Sequence, residues 1–132
     1  MLPKSFQTKI VKAAKKSEEK VLWIFLNNYQ TGKVINPPKN ISIDGSPFQK
    51  MVLEEVCKIP YGETRSYSEI ALAIDKPRAV RAVASAIAKN KLLIVIPCHR
   101  VIRSDGKIGK YRGGEKLKEQ LLVIEKQNLQ KK

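Results

Sequence analysis

The chain reads as mainly α with a small β-hairpin, a winged-helix-like helix-turn-helix domain preceded by a short N-terminal segment. Three observations predict this. Helical apolar spacing recurs in several short windows with serine caps at their starts. A Ser-Asp-Gly-Lys turn is flanked by apolar residues, the signature of a hairpin. The third is charge: 26 basic against 12 acidic residues in 132 give +14, a field that favours a polyanion, nucleic acid before an anionic membrane surface. The length fits one domain or one domain with an arm.

Residues 1–17 are polar and lysine-rich and read as an arm or a frayed first element. Val21, Leu22, Phe25 and Leu26 then suit a short helix over Ser17–Tyr29, and Thr31–Asn40, with one glycine and two prolines, reads as a linker. Ile41–Ile43 is a candidate strand before the Asp44-Gly45 turn. Residues 1–45 are thus an arm, a helix and a linker, and the compact domain covers 46–132.

Within that domain, Ser46-Pro47-Phe48-Gln49 places a cap, a proline at the first helical position and a glutamine three residues after the cap. Phe48, Met51, Val52, Val56 and Ile59 hold one face until Pro60. Ser66-x-x-Glu69 forms a second capping box, opening a helix through Ile70, Ala71 and Ile74. After Asp75–Pro77 an alanine-rich helix runs from Arg78 to Lys89, completing a helix-turn-helix outline. Leu92–Ile96 is an apolar run ended by Pro97 and reads as a buried strand that delivers Cys98, His99 and Arg100 to a turn. Val101-Ile102 and Ile108 flank the hairpin turn at 104–107. A last helix spans Glu115–Asn128.

The longest apolar run, Val21–Leu26, is far short of the ~18 residues that span a bilayer, and no apolar stretch follows the first lysines, so neither a membrane span nor a signal peptide is expected. Two cysteines and one histidine are too few for a disulfide framework or a Cys/His metal site, and a reducing compartment fits. No metal and no cofactor are expected.

Cys98-His99 is the sharpest chemical feature. A thiolate is the nucleophile and an imidazole can take its proton, although neighbours on an extended chain point apart, so a turn or a water must bring them together. Read blandly, Cys98 is a small apolar residue at a strand end. Glu125, on the flank of the last helix's apolar face, can complete a Cys-His-Glu relay or simply reach solvent. The alanine-rich helix carries Ala79, Ala82, Ala84, Ala86 and Ala88 where a major-groove reader needs long side chains. Small residues allow a close approach to the narrow minor groove instead, with Arg78 and Arg81 free to meet phosphate or reach between bases.

Ser46 to Glu125 resembles the active-site domain of the O6-alkylguanine-DNA alkyltransferases, the methylated-DNA–protein-cysteine methyltransferases. The resemblance is carried by Pro47–Gln49, the IPYGET-x-SY stretch (Ile59–Tyr67), RAVRAVASA (Arg78–Ala86), IPCHRVI (Ile96–Ile102), GKYRGG (Gly109–Gly114) and LL-x-x-E (Leu121–Glu125). It implies that Cys98 accepts the alkyl group, that His99 is its base through a water, and that Glu125 orients His99. It implies that Asn90 braces the turn between the DNA-binding helix and the active site. Tyr67 would help swing the nucleotide out and donate a proton to the departing guanine, and Arg81 would fill the vacated place.

Arg78, Ala79, Ala82, Ser85 and Arg100 join the expected DNA-binding surface. Val101, Tyr111, Arg112 and Gly113 join the expected base pocket. The expected partner is double-stranded DNA bearing O6-alkylguanine, or O4-alkylthymine, met from the minor groove by a monomer, cytoplasmic in a prokaryote or nuclear in a eukaryote. The sequence departs from the pattern at Lys91, where proline is usual, at Ala84-Ser85, where glycine is common, and in GKYRGG. Residues 1–45 are too short for the family's usual N-terminal domain and are expected to be its truncated remnant. Competing readings are a non-catalytic lesion binder, which would lack Cys98, a basic helix-turn-helix regulator and a Cys-His-Glu hydrolase.

Overall fold

The computed structural model describes residues 2–33 and 41–130. Helix α1 (Lys4–Lys12) leads through a 3-10 turn at Lys16–Glu18 into α2 (Glu19–Gln30). After 34–40, which hold most of the expected linker and lie outside the described residues, come α3 (Pro47–Val56), β1 (Arg65–Ser66), α4 (Tyr67–Ala73) and α5 (Val80–Ala88). A 3-10 turn at Cys98–Arg100, β2 (Val101–Ile102) and α6 (Glu115–Gln130) complete the order. The mainly helical reading therefore holds, and none of these helices is long and apolar enough to cross a membrane.

The caps follow from local chemistry. Ser46 Oγ accepts the Gln49 N–H at 3.1 Å, with Pro47 at the first helical position. Ser66 and Glu69 exchange both hydrogen bonds of a capping box, each at 3.0 Å. Such caps satisfy amide groups that the helix itself leaves unpaired, contributing ~1 kcal/mol each. Helix α4 follows β1 directly, and α3, α4 and α5 pack on one another as the helix-turn-helix outline requires.

Four local expectations are corrected. Residues 4–12 are not a frayed arm: α1 packs on α2, and Leu2, Ile10 and Val11 are buried in the same core as Leu22, Leu26, Val52, Val56 and Leu121. The hairpin is replaced by a parallel pair, β1 against β2 with Arg65 opposite Val101 and Ser66 opposite Ile102. Residues 103–107 close as a turn, Arg103 N–H to Lys107 O at 2.9 Å. That turn satisfies its own backbone, leaving Val101-Ile102 to find a partner in the segment that starts α4.

Neither expected strand before the active-site turn forms. Ile41–Ile43 is irregular, tied by Ser42 N–H to Glu18 Oε2 at 2.8 Å. Leu92–Ile96 is buried but turns back on itself, with Ile96 N–H donating to Leu92 O at 2.9 Å and Ile94 at φ 72°. A β-branched residue seldom adopts positive φ, so the surroundings must hold this loop, and the Asn90 side chain does so.

Candidate active site

Asn90, at the end of the alanine-rich segment, is 2% exposed. Its Oδ1 accepts the Leu92 N–H at 3.0 Å, and its Nδ2 donates to Ile96 O and to Cys98 Sγ, both at 3.2 Å. One amide thus folds the apolar loop and aims the thiol. The bulge explains why the apolar run is no strand: its polar backbone groups are satisfied by a side chain rather than a neighbouring strand.

Cys98 is 3% exposed and reaches a cleft of about 650 Å³ bordered by Tyr67, Ala84, Ser85, Tyr111 and Arg112, with Arg103 and Lys110 adding positive charge. Burial pushes the Cys98 thiol up to about 11, against the pull of the Asn90 hydrogen bond and the Lys118 charge. The sulfur is therefore a thiol at neutral pH and needs a base before it can attack.

Directly behind it lies a buried polar cluster. His99 and Glu125 are both fully buried, and His99 Nε2 meets Glu125 Oε2 at 2.5 Å. Glu125 is therefore not an edge residue reaching solvent. Its Oε1 also accepts from Gly62 N–H at 3.0 Å and Arg100 Nε at 2.8 Å, and its Oε2 from Arg100 Nη2 at 3.0 Å and the Tyr29 hydroxyl at 2.8 Å. Gly62 sits at φ +84°, and a Cβ there would run into the Leu129 side chain, so glycine suits the position. Burial pushes the Glu125 carboxyl up, but the bonds and charges of His99 and Arg100 outweigh it and hold the group at about 2.

An ionised Glu125 fixes the proton of neutral His99 on Nε2. Burial lowers the imidazole below its usual value, so it stays neutral at pH 7. Nδ1, buried and with no protein partner among the described residues, is the open basic nitrogen.

The other expected site residues separate into groups. Tyr67 lines the cleft with Tyr111, whose ring meets His99 edge-on at 6.4 Å and whose buried hydroxyl has no protein partner among the described residues. Arg81, Ala82 and Ser85 are exposed on α5, while Arg78 is exposed and Ala79 half-buried just before it. Arg112 is exposed at the cleft. Gly113 lies instead in a neighbouring groove with Phe6, Lys9 and Lys91. Val101 is fully buried, its backbone paired in β2.

Arg100 is the clear correction. Expected on the DNA-binding surface, it is 3% exposed, bonded to Glu125 and to Ile59 O at 2.9 Å, with its guanidinium over the Tyr61 ring. Phosphate cannot reach it.

Two residues escaped the sequence reading. Lys118 is fully buried, donating from Nζ to Lys110 O at 3.3 Å with its ammonium 5.8 Å from the Tyr67 ring centre. Burial lowers it to about 8. Lys118, Leu121 and Glu125 share one helical face at i, i+3 and i+7, a signal the sequence carried. Tyr29 likewise continues the stripe of Leu22, Phe25 and Leu26, all buried, whereas Val21 is exposed. No group of three or more metal-ligating side chains stands together among the described residues.

Comparison with known proteins follows the same outline. The profile of the 6-O-methylguanine DNA methyltransferase DNA-binding domain matches residues 47–127. A methylated-DNA–protein-cysteine methyltransferase of Methanosarcina barkeri is 50% identical over 104 residues, covering 79% of this chain and 66% of that protein. An inducible enzyme of the same name from Bacillus subtilis is 48% identical over 101 residues, covering 76% of this chain and 56% of the other. The chain thus spans about two-thirds or less of these relatives. The crystal structure of Mycobacterium tuberculosis OGT in complex with DNA superposes with a TM-score of 0.75 at 44% identity, covering 78% of this chain and 63% of that one. The chain therefore belongs to the 6-O-methylguanine DNA methyltransferase family.

Proposed function

We propose that this protein repairs DNA by direct reversal, moving the alkyl group of O6-alkylguanine, and of O4-alkylthymine, onto Cys98 in a single irreversible turnover. The observation that carries the reading is the thiol at the cleft: Cys98 Sγ is held by Asn90 beside an imidazole that Glu125 orients with its basic nitrogen open. The relatives' names and the DNA complex of a similar structure support the same activity and partner.

The lesion carbon lies inside the duplex, so the nucleotide is extruded before an in-line attack is possible. Helix α5 enters the minor groove on its alanine face, Arg81 takes the place of the flipped base, and Arg78 meets phosphate. The extruded base enters the cleft between Tyr67 and Tyr111. His99 Nδ1, through a water, takes the Cys98 proton. The sulfur forms an S–C bond as the C–O6 bond breaks, and its electron pair leaves with the base. A proton returned through Tyr67 leaves neutral guanine. The thioether left on Cys98 is too poor a leaving group for water to displace, so one molecule repairs one lesion.

Incubation with duplex DNA carrying one O6-methylguanine, followed by mass spectrometry, tests this. The expected result is one methyl group on Cys98, none on Cys57, and no gain in Cys98→Ser. A serine variant that still gains the methyl group overturns the assignment. Multiple turnovers without adduct would favour a hydrolase, and binding without transfer a lesion sensor.

A further inference from the structure

Tyr29 lies outside the stretch that matches the family profile, on a segment whose sequence reads as a remnant. Yet its side chain is 1% exposed and its hydroxyl donates to Glu125 Oε2 at 2.8 Å, across 96 residues of chain. That oxygen is the one that also receives His99 Nε2. The ring has little freedom to aim elsewhere. Phe25, Tyr61 and His99 surround it at ring distances of 6.3, 6.0 and 6.4 Å, the last two edge-on.

We propose that Tyr29 is a positioning residue of the site: by occupying Glu125 Oε2 beside His99, its hydroxyl weakens the carboxylate's hold on the imidazole proton and keeps His99 neutral, with Nδ1 open as the base. The physical reason is competition for one oxygen. A carboxylate that already accepts several hydrogen bonds is a poorer acceptor for the next, and the stronger its free charge, the more it favours imidazolium over imidazole. A Cys98 base that is already protonated cannot accept the thiol proton, so the site needs a carboxylate that orients the ring without protonating it. The inference rests on the alkyl-transfer reading for its kinetic part and stands without it for its titration part.

Among the described residues, the thiol of Cys98 precedes His99 in the same turn. Glu125 and Lys118 face His99 from α6, Arg100 from its own turn, Tyr29 from α2 and Tyr111 from the loop before α6. Arg100 and Lys118 disfavour imidazolium, and Glu125 favours it. Tyr29 acts on the favourable partner alone, so its removal has a definite sign: the imidazole becomes easier to protonate.

The chain holds a single histidine, so an imidazole NMR titration reports on His99 with no assignment step. Tyr29→Phe keeps the ring and removes only the hydroxyl. Its His99 titration is expected to move up by roughly 0.5–1 pH unit relative to wild type. Methyl transfer to Cys98 is then expected to slow about three- to tenfold at a pH well below both midpoints, by less than about twofold at the shifted midpoint, and hardly at all at pH 8. Replacing Tyr29 with a fluorinated, more acidic tyrosine moves both readouts the opposite way and serves if the phenylalanine variant fails to fold.

An unmoved titration in a folded variant overturns the proposal, as does an equal loss of rate at every pH, which would mark Tyr29 as packing alone. Wild-type protein that titrates as expected but gains no methyl group would instead sink the alkyl-transfer reading and leave the positioning role intact.

Discussion

Arg100 grips Glu125 side-on, Nε to Oε1 at 2.8 Å and Nη2 to Oε2 at 3.0 Å, with both side chains closed to solvent. This paired geometry is the strong form of a charge-assisted bond. It makes Arg100 the counter-charge that lets a carboxylate stay ionised in the core beside a neutral imidazole.

Arg100→Ala is expected to cost about 3–5 kcal/mol of stability, because it strands the Glu125 charge in a buried site. Denaturant unfolding measures the loss. Duplex affinity of the folded fraction should keep the wild-type salt dependence, since the guanidinium meets no phosphate. A reduced salt slope would contradict the burial.

Stability should fall in two stages as pH drops below neutrality. His99 and Glu125 both titrate lower folded than unfolded, so the unfolded chain binds more protons and stability rises with pH. The first loss begins below the ordinary histidine value of 6.5, as the unfolded imidazole takes a proton the buried one refuses. The second begins below 4.5, where the unfolded carboxyl protonates, and runs down through about 2. The Glu125 stage is on the order of 3 kcal/mol. Denaturant melts between pH 7 and 3 check this, and Glu125→Gln should flatten the lower stage.

Lys118→Met should stabilise the protein at pH 7 by about 1–2 kcal/mol, allowing for solvent screening, because it removes a cation that burial disfavours. The same change should slow labelling of Cys98 by a small thiol reagent, since the Lys118 charge draws the thiol toward ionisation. Faster unfolding with unchanged labelling would show a purely structural lysine.

Arg81→Ala should separate base extrusion from chemistry. If Arg81 supplies more than ~1.4 kcal/mol toward holding the duplex open, repair of duplex DNA slows more than tenfold. Reaction with a free O6-alkylguanine base, which needs no extrusion, should barely change. Arg78→Ala should weaken all duplex binding and lower the salt slope by about one. Equal losses on duplex and free base would show that Arg81 does not fill the vacated place.

Sequence and structure agree where local chemistry dominates. The caps at Ser46 and Ser66 and the helix-turn-helix outline are legible from spacing and residue type, while the Cys98-His99-Glu125 grouping is implied by the family resemblance, spacing alone leaving Glu125 open. They part where tertiary partners decide. Leu92–Ile96 has strand composition, but the Asn90 side chain takes the bonds a strand would need. Arg100 reads as a surface cation because charge is usually solvated, and only the approach of α6 reveals its partner. Tyr29 and Lys118 stand on apolar stripes that the sequence shows, but which atom each polar tip bonds is set only by the fold.

The groups that converge on Glu125 come from positions 29, 62 and 99–100, so the carboxylate gathers chain segments from both halves of the molecule. Each of those bonds closes a long loop, and loop closure must be completed before the contacts can repay it. Until α6 docks, Glu125 is missing from His99 and Arg100, and the cluster that orients the imidazole is incomplete. Chemical competence is therefore expected late in refolding: recovery of helical signal should precede recovery of reactivity, and a chain stopped between the two would already carry its basic surface without a working thiol.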